Sequence, residues 1–162
     1  MLKLQDSGLK WLWLTLLVIS LDRFTKILVQ TFLMPYQPVR VLPFFELTLA
    51  YNKGAAFSFL NYASGWQTWF FACLAFLVSS ILLIWLRKIS SKEKILAIAL
   101  TLIIGGALGN LWDRLQFGEV IDFLDVFYNN WHWPIFNIAD SAICTGALLL
   151  SFKTFFSVER NE

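Results

Sequence analysis

Histidine, cysteine and charge are all scarce in this 162-residue chain, and each scarcity removes a class of chemistry. The single histidine, His132, stands between two tryptophans. There is no HExxH, no CxxC and no second histidine, so a zinc enzyme is not expected. A serine mechanism needs a base beside its nucleophile, and the nearest serine downstream of His132 is Ser141, in no recognisable motif. Lys26 and Lys53 also lie beside no serine in such a motif. The two cysteines, Cys73 and Cys144, fall inside apolar runs without nearby partners, and they read as small buried apolar residues. A formal charge of +2, with no basic run interleaved with aromatics, excludes a nucleic-acid partner.

What the chain has in abundance is apolar surface. Hydrophobic residues make up 58% and charged residues only 15%, with eight Trp and sixteen Phe, which is more than one soluble core can bury. A bilayer accepts such surface without a protein partner for every side chain. Four apolar runs stand out: Trp11 to Thr31, Trp66 to Leu86, Ile95 to Trp112 and Ile138 to Phe156. At helical rise they span roughly 27 to 32 Å, the thickness of a hydrocarbon core. The first run resembles a secretory signal peptide at its start. It continues past Asp22 and Ile27 to Met34 with no small-x-small cleavage site, so it is expected to stay as an anchor.

Orientation follows from the positive-inside rule. The short link from Arg87 to Lys94 carries four basic residues and is expected in the cytoplasm. Lys3, Lys10, Lys153 and Arg160 agree with an N-in, C-in arrangement. The two outer connections are longer. In the first, Leu42 to Tyr51 is rich in Phe, Thr and Leu and suggests a strand or two on the membrane surface, followed by a brief interfacial helix from Phe57 to Tyr62. The second, residues 113 to 137, holds most of the remaining acids together with Trp131 and Trp133, which suit the headgroup zone.

Charges inside spans cost several kcal/mol unless paired or wet, so each is a functional candidate. Asp22 lies about 11 residues into the first run, roughly 16 Å from its start. Asn110, Asp113 and Arg114 close the third run, and Asn137 and Asp140 open the fourth. All fall at one level, toward the outer face. Each also has an ordinary structural explanation: Asn137 and Asp140 as helix capping residues, Asp113 and Arg114 as an ion pair at a helix end, Asp22 paired with Lys26 one turn on. Capping residues, however, have no reason to line up with a buried acid on another helix.

Two further acids, Asp122 and Asp125, lie three residues apart in an apolar stretch. They share a face if the segment is helical and point to opposite faces if it is extended, so spacing does not choose which one meets Asp140. Two carboxylates in one partly dry site cannot both ionise easily. One then takes a proton from an attacking water while the other donates to the developing oxyanion, which suits peptide hydrolysis without metal or cofactor. A second class, a small four-span proton-coupled transporter or channel subunit, also uses intramembrane acids. Transport sites favour the midplane of repeated halves, whereas these acids gather toward one face and the two halves show no repeat.

Five stretches carry a family resemblance: Asp22-Arg23-Phe24-Thr25-Lys26, Asn52-Lys53-Gly54-Ala55-Ala56-Phe57, Gly105 through Arg114, Gly118 through Phe123, and Phe136-Asn137-Ile138-Ala139-Asp140. In these the chain resembles the lipoprotein signal peptidases, or signal peptidase II, over nearly its whole length. The resemblance implies an all-α integral membrane fold: a four-transmembrane-helix bundle in one domain, 1–162, with a small external β-cradle. It implies an aspartyl dyad at Asp122 and Asp140, with Asp125 a neighbour. Asp22, Asn52, Gly54, Asn110, Asp113, Arg114, Asn137 and Ala139 match positions that shape the site or hold substrate, and Gly54-Ala55-Ala56 is expected to mark a flap. The implied partners are the lipid bilayer of a bacterial plasma (inner) membrane and prolipoproteins bearing diacylglycerol on the cysteine at the cut. No metal or cofactor is expected, and the chain is expected to act as a monomer near the outer, periplasmic face.

Overall fold

The computed structural model describes residues 6–54 and 65–158. A short 3-10 turn, Gly8–Trp11, leads into helix α1, Leu12–Phe32, and a hairpin of β1, Val39–Leu42, and β2, Phe45–Asn52, follows. Helices α2, Trp66–Lys88, and α3, Lys94–Phe117, come next, then β3, Val120–Tyr128, β4, Trp131–His132, and helix α4, Ile138–Val158. The interfacial helix expected at 57–62, and all of the expected flap beyond Gly54, lie outside the described residues.

The helices start and stop close to where the apolar runs predict, with one instructive exception. The third run ends at Trp112, yet α3 continues through Asp113 and Arg114 to Phe117 and is closed by Gly118 at φ 77°. Leu115 and Phe117 keep the helix apolar for that extra turn, and only glycine adopts a left-handed cap without strain. Asp113 and Arg114 therefore belong to a helical face that looks into the protein, not to a fraying end.

Helices α2, α3 and α4 are long and apolar enough to cross a membrane. In α3, 61% of the central apolar window is buried, against 17% in each of α2 and α4. The core helix is thus α3, which packs on α4, α2 and α1. Small residues permit this. A Cβ on Gly105 would meet Val18 at 2.9 Å, one on Gly146 would meet the Ala99 carbonyl oxygen at 2.7 Å, and one on Gly106 would collide with the Ala139 carbonyl. Elsewhere the surface is apolar, with Trp13, Leu16, Phe24, Phe76, Leu148 and Phe155 all more than half exposed. The cysteines belong to this surface as well. Cys73 and Cys144 are free and exposed, not buried, because each lies on an outward or cavity-facing side of its helix.

The two long connections form one structure. The strands make a four-stranded antiparallel sheet in the order β1-β2-β3-β4. The central pairing joins Phe45–Asn52 to Val120–Tyr128, with a bulge between Leu47 and Ala50. Leu49, Ile121 and Phe123 from the sheet pack with Val29 of α1 into a small core that fixes the sheet on the helices. Because β3 is extended, Ile121, Phe123 and Asp125 face one side and Val120 and Asp122 the other.

Candidate active site

Asp122 projects from β3 and Asp140 from the first turn of α4, and both line one cavity of about 290 Å³. Asn52, Asn110 and Arg114 share that lining, and Trp133, Pro134, Ile135 and Phe136 form an apolar wall. Neither aspartate makes an ion pair with a described residue. Amides hold them instead. The Asn137 Nδ2 donates to Asp122 Oδ1 at 2.7 Å, and Asn52 Nδ2 to Asp122 Oδ2 at 3.1 Å. Asp140 Oδ1 accepts from Asn110 Nδ2 at 2.7 Å. Asn137 also contacts Asn110 Oδ1 at 3.2 Å, so the amides link the two carboxylates into one network.

Burial first, and then the neighbouring charge of Asp140, push the Asp122 carboxyl up from 3.8 to about 7. Its bonds to Asn52 and Asn137 oppose that rise without cancelling it. The pair therefore keeps one proton into the neutral range.

Local structure explains how Asp140 is aimed. Asn137 precedes α4, and its Oδ1 accepts from Asp140 N at 2.8 Å while Asp140 Oδ2 accepts from Asn137 N at 3.3 Å. This reciprocal arrangement is a capping box. The capping explanation of these two residues is therefore correct, and it coexists with the cavity-facing position of the carboxylate.

Behind the dyad lies a second cluster. Lys26 Nζ is 2.7 Å from Asp22 Oδ2 and 2.7 Å from Asp113 Oδ2, and donates to Asn110 Oδ1 at 3.2 Å. Arg23 completes it with 2.7 Å to Asp113 Oδ1. Asp22 accepts from Ala139 N at 3.0 Å, satisfying a free amide in the first turn of α4. Asp113 also accepts from Ile121 N at 3.3 Å, tying α3 to β3. Asp113 is therefore paired with Arg23 and Lys26, and the simple pair with Arg114 does not form. Arg114 instead donates to the Gly54 carbonyl at 2.9 Å and the Asn110 carbonyl at 3.3 Å, with its guanidinium 5.5 Å over the Phe71 ring.

Of the sequence candidates, Asp122, Asp140, Asn52, Asn110 and Arg114 line the cavity, and Asn137, Asp22 and Asp113 connect to that lining from behind. Ala139, fully buried, contributes by being small: its Cβ lies 3.3 Å from where a Cβ on Gly109 would stand. Asp125 does not join the dyad. It faces the other side of β3, where its carboxylate meets Thr48 at 3.3 Å and His132 at 2.9 Å. Ser141 spends its hydroxyl on the Asn137 carbonyl at 2.9 Å, so it is not poised as a nucleophile. The sequence did not indicate that Lys26 reaches beyond Asp22 to α3, nor that residues 133–136 wall the cavity. The signal for the first was a lysine and an arginine flanking one acid in an otherwise apolar run.

Apolar helices packed around a carboxylate pair, amide-held and cavity-facing, suit a membrane-associated hydrolase of the aspartyl type. Comparison with known proteins narrows the class. The family model described as signal peptidase (SPase) II matches residues 14–156. A lipoprotein signal peptidase of Yersinia enterocolitica is 52% identical over 152 residues, covering 94% of this chain and 90% of that one. One from Alteromonas mediterranea is 51% identical, covering 96% and 86%. A bacterial membrane enzyme structure obtained by the in meso method superposes with a TM-score of 0.85 at 28% identity, over 94% of this chain and 92% of that one. The chain belongs to the signal peptidase II family, and it is a protease.

Proposed function

We propose that the protein is an aspartyl endopeptidase that removes the signal peptide from diacylglyceryl-modified prolipoproteins, cutting just before the lipid-modified cysteine, with Asp122 and Asp140 as the catalytic pair. The observation that carries this is the meeting of two otherwise unpaired carboxylates, from β3 and α4, in a single cavity. The ionised member takes a proton from water as the oxygen attacks the scissile carbonyl. The protonated member donates to the carbonyl oxygen, and proton transfer to the leaving nitrogen completes cleavage. Asn52, Asn110 and Asn137 fix the carboxylate oxygens, while Arg114 and Asn52 hold the substrate backbone near the cavity mouth.

All four long helices cross the bilayer in this reading, within one domain, 1–162, that acts as a monomer. The first carries three charges, Asp22, Arg23 and Lys26, and their pairing inside the protein supports its insertion. The basic link at residues 87–94 supports N-in, C-in orientation in a bacterial inner membrane. The dyad then lies toward the outer face, where a diacylglyceryl group stays in lipid while the peptide reaches the carboxylates. A transporter reading has no support, since the family is one of peptidases.

The test is cleavage of a diacylglyceryl prolipoprotein by purified protein in detergent, with no gradient present. Folded Asp122→Asn and Asp140→Asn are expected to be inactive while Asp125→Asn still cleaves. An inactive Asp125→Asn beside an active Asp122→Asn would reassign the pair.

A further inference from the structure

On the side of β3 opposite the dyad, three strands bring ligating side chains together. Glu46 of β2, Asp125 of β3 and His132 of β4 offer ligand atoms all within 4.8 Å of one another. Glu46 and Asp125 are directly opposed in the antiparallel pairing, and His132 pairs with Phe127, two residues from Asp125 on the same face. Like charges set opposite each other in a sheet repel, and these two are 7% and 4% exposed. The Asp125 carboxylate has partners in Thr48 and His132. Among the described residues Glu46 accepts no such bond: His132 Nδ1 stands 4.0 Å away, beyond hydrogen-bonding distance. Arg40 stands opposite Glu46 in the register, yet its guanidinium sits 4.8 Å over the Phe127 ring. A carboxylate that accepts no hydrogen bond from a described residue therefore stands in a cluster that already holds a second carboxylate and an imidazole.

We propose that Glu46, Asp125 and His132 form a binding site for a divalent transition-metal ion of the Zn²⁺ class, separate from the catalytic dyad. One imidazole nitrogen and two carboxylate oxygens suit Zn²⁺ better than Mg²⁺ or Ca²⁺, which take oxygen donors. The His132 side chain is 47% exposed, which leaves an open side for water ligands and an entry path. A bound ion cross-links β2, β3 and β4 and stiffens the strand that carries Asp122 three residues away. The role is structural: no step of peptide cleavage passes through it.

The experiment uses tag-free, chelator-treated protein in detergent, titrated with ZnCl₂ by calorimetry. Uptake of one equivalent, with a Zn²⁺-dependent rise in thermal midpoint, is expected for wild type and for Asp122→Asn, and loss of both in His132→Ala and Asp125→Asn. His132 is half exposed, and circular dichroism of His132→Ala and His132→Gln checks that they fold. As a second readout, Co²⁺ is expected to quench Trp131 and Trp133, which flank the imidazole, in wild type but not in His132→Gln. Absence of stoichiometric uptake by wild type overturns the proposal and leaves the cluster a contact between Asp125 and His132 alone. Uptake that survives His132→Ala but not Asp122→Asn overturns it too, because the ion would then sit at the dyad.

Discussion

Two buried acidic pairs lie side by side in this protein, and they are treated oppositely. Asp22 and Asp113 are fully buried and surrounded by cations, with Lys26 between them and Arg23 at the edge. Among the described residues, Asp122 and Asp140 are held by amides and make no ion pair. Asn110 divides the two regions: its Oδ1 faces Lys26 and its Nδ2 faces Asp140. The first cluster is balanced and holds α1, α3 and α4 in place. The second is left unbalanced next to a cavity, so one of its members keeps a proton. Charge that is neutralised on site serves architecture, and under the proposed function the charge that is not is the one that reacts.

The sharpest way to break this contrast is to remove one carboxylate from each side. Asp122→Asn or Asp140→Asn is expected to lower the cleavage rate by about 10²–10⁴-fold, the usual worth of a general acid or base, while thermal unfolding in detergent shows a stable protein. Lys26→Met is expected to do the reverse in kind. It leaves Asp22 buried without its cation and costs about 3–5 kcal/mol of stability, read as a depressed unfolding midpoint.

The pH profile separates the two regions next. Between pH 3.8 and about 7 the folded chain holds a proton on Asp122 that an unfolded chain releases. Stability attributable to this group is therefore full below about pH 4, falls as pH rises, and is gone above about 7. Asp122→Asn escapes that loss, so its midpoint relative to wild type is expected to be higher at pH 8 than at pH 4. Wild-type cleavage is expected to decline above pH 7 as the shared proton leaves. Smallest is the effect of Gly106→Ala. The new methyl drives α3 from the Ala139 carbonyl, costing about 1–3 kcal/mol by overpacking and displacing Asp140, so activity falls further than stability alone explains.

Much of this was legible in advance because long apolar helices are written as contiguous runs. Leu12–Phe32 and Trp66–Lys88 match their runs within two residues at either end. The strand at Phe45–Asn52 was visible from its composition. Its partner was not, since Asn52 and Val120 meet although they are 68 positions apart, with no local sign of the pairing. The same gap hid the choice between Asp122 and Asp125: a spacing of three is read in opposite ways by helix and strand, and only the β2–β3 pairing makes the segment a strand. The resemblance to a family supplied that choice early, and in the fold it is Asp122, not Asp125, that shares a cavity with Asp140. Long-range charge pairing was likewise unreadable. The i, i+4 pair of Asp22 and Lys26 is a local pattern, whereas their tie to Asp113 exists only after α1 and α3 pack.

That tie has a consequence for how the chain is made. Arg23 and Asp113 are 90 residues apart, so a ribosome releases α1, with its three charges, long before α3 exists to neutralise them. In the proposed four-span arrangement the first helix then waits at the membrane with only its own Asp22–Lys26 pair for cover. Biogenesis of this protease is therefore most vulnerable between the appearance of its first and third helices, and substitutions that break the internal pair should reduce the amount of protein inserted before they touch the rate of the enzyme that is.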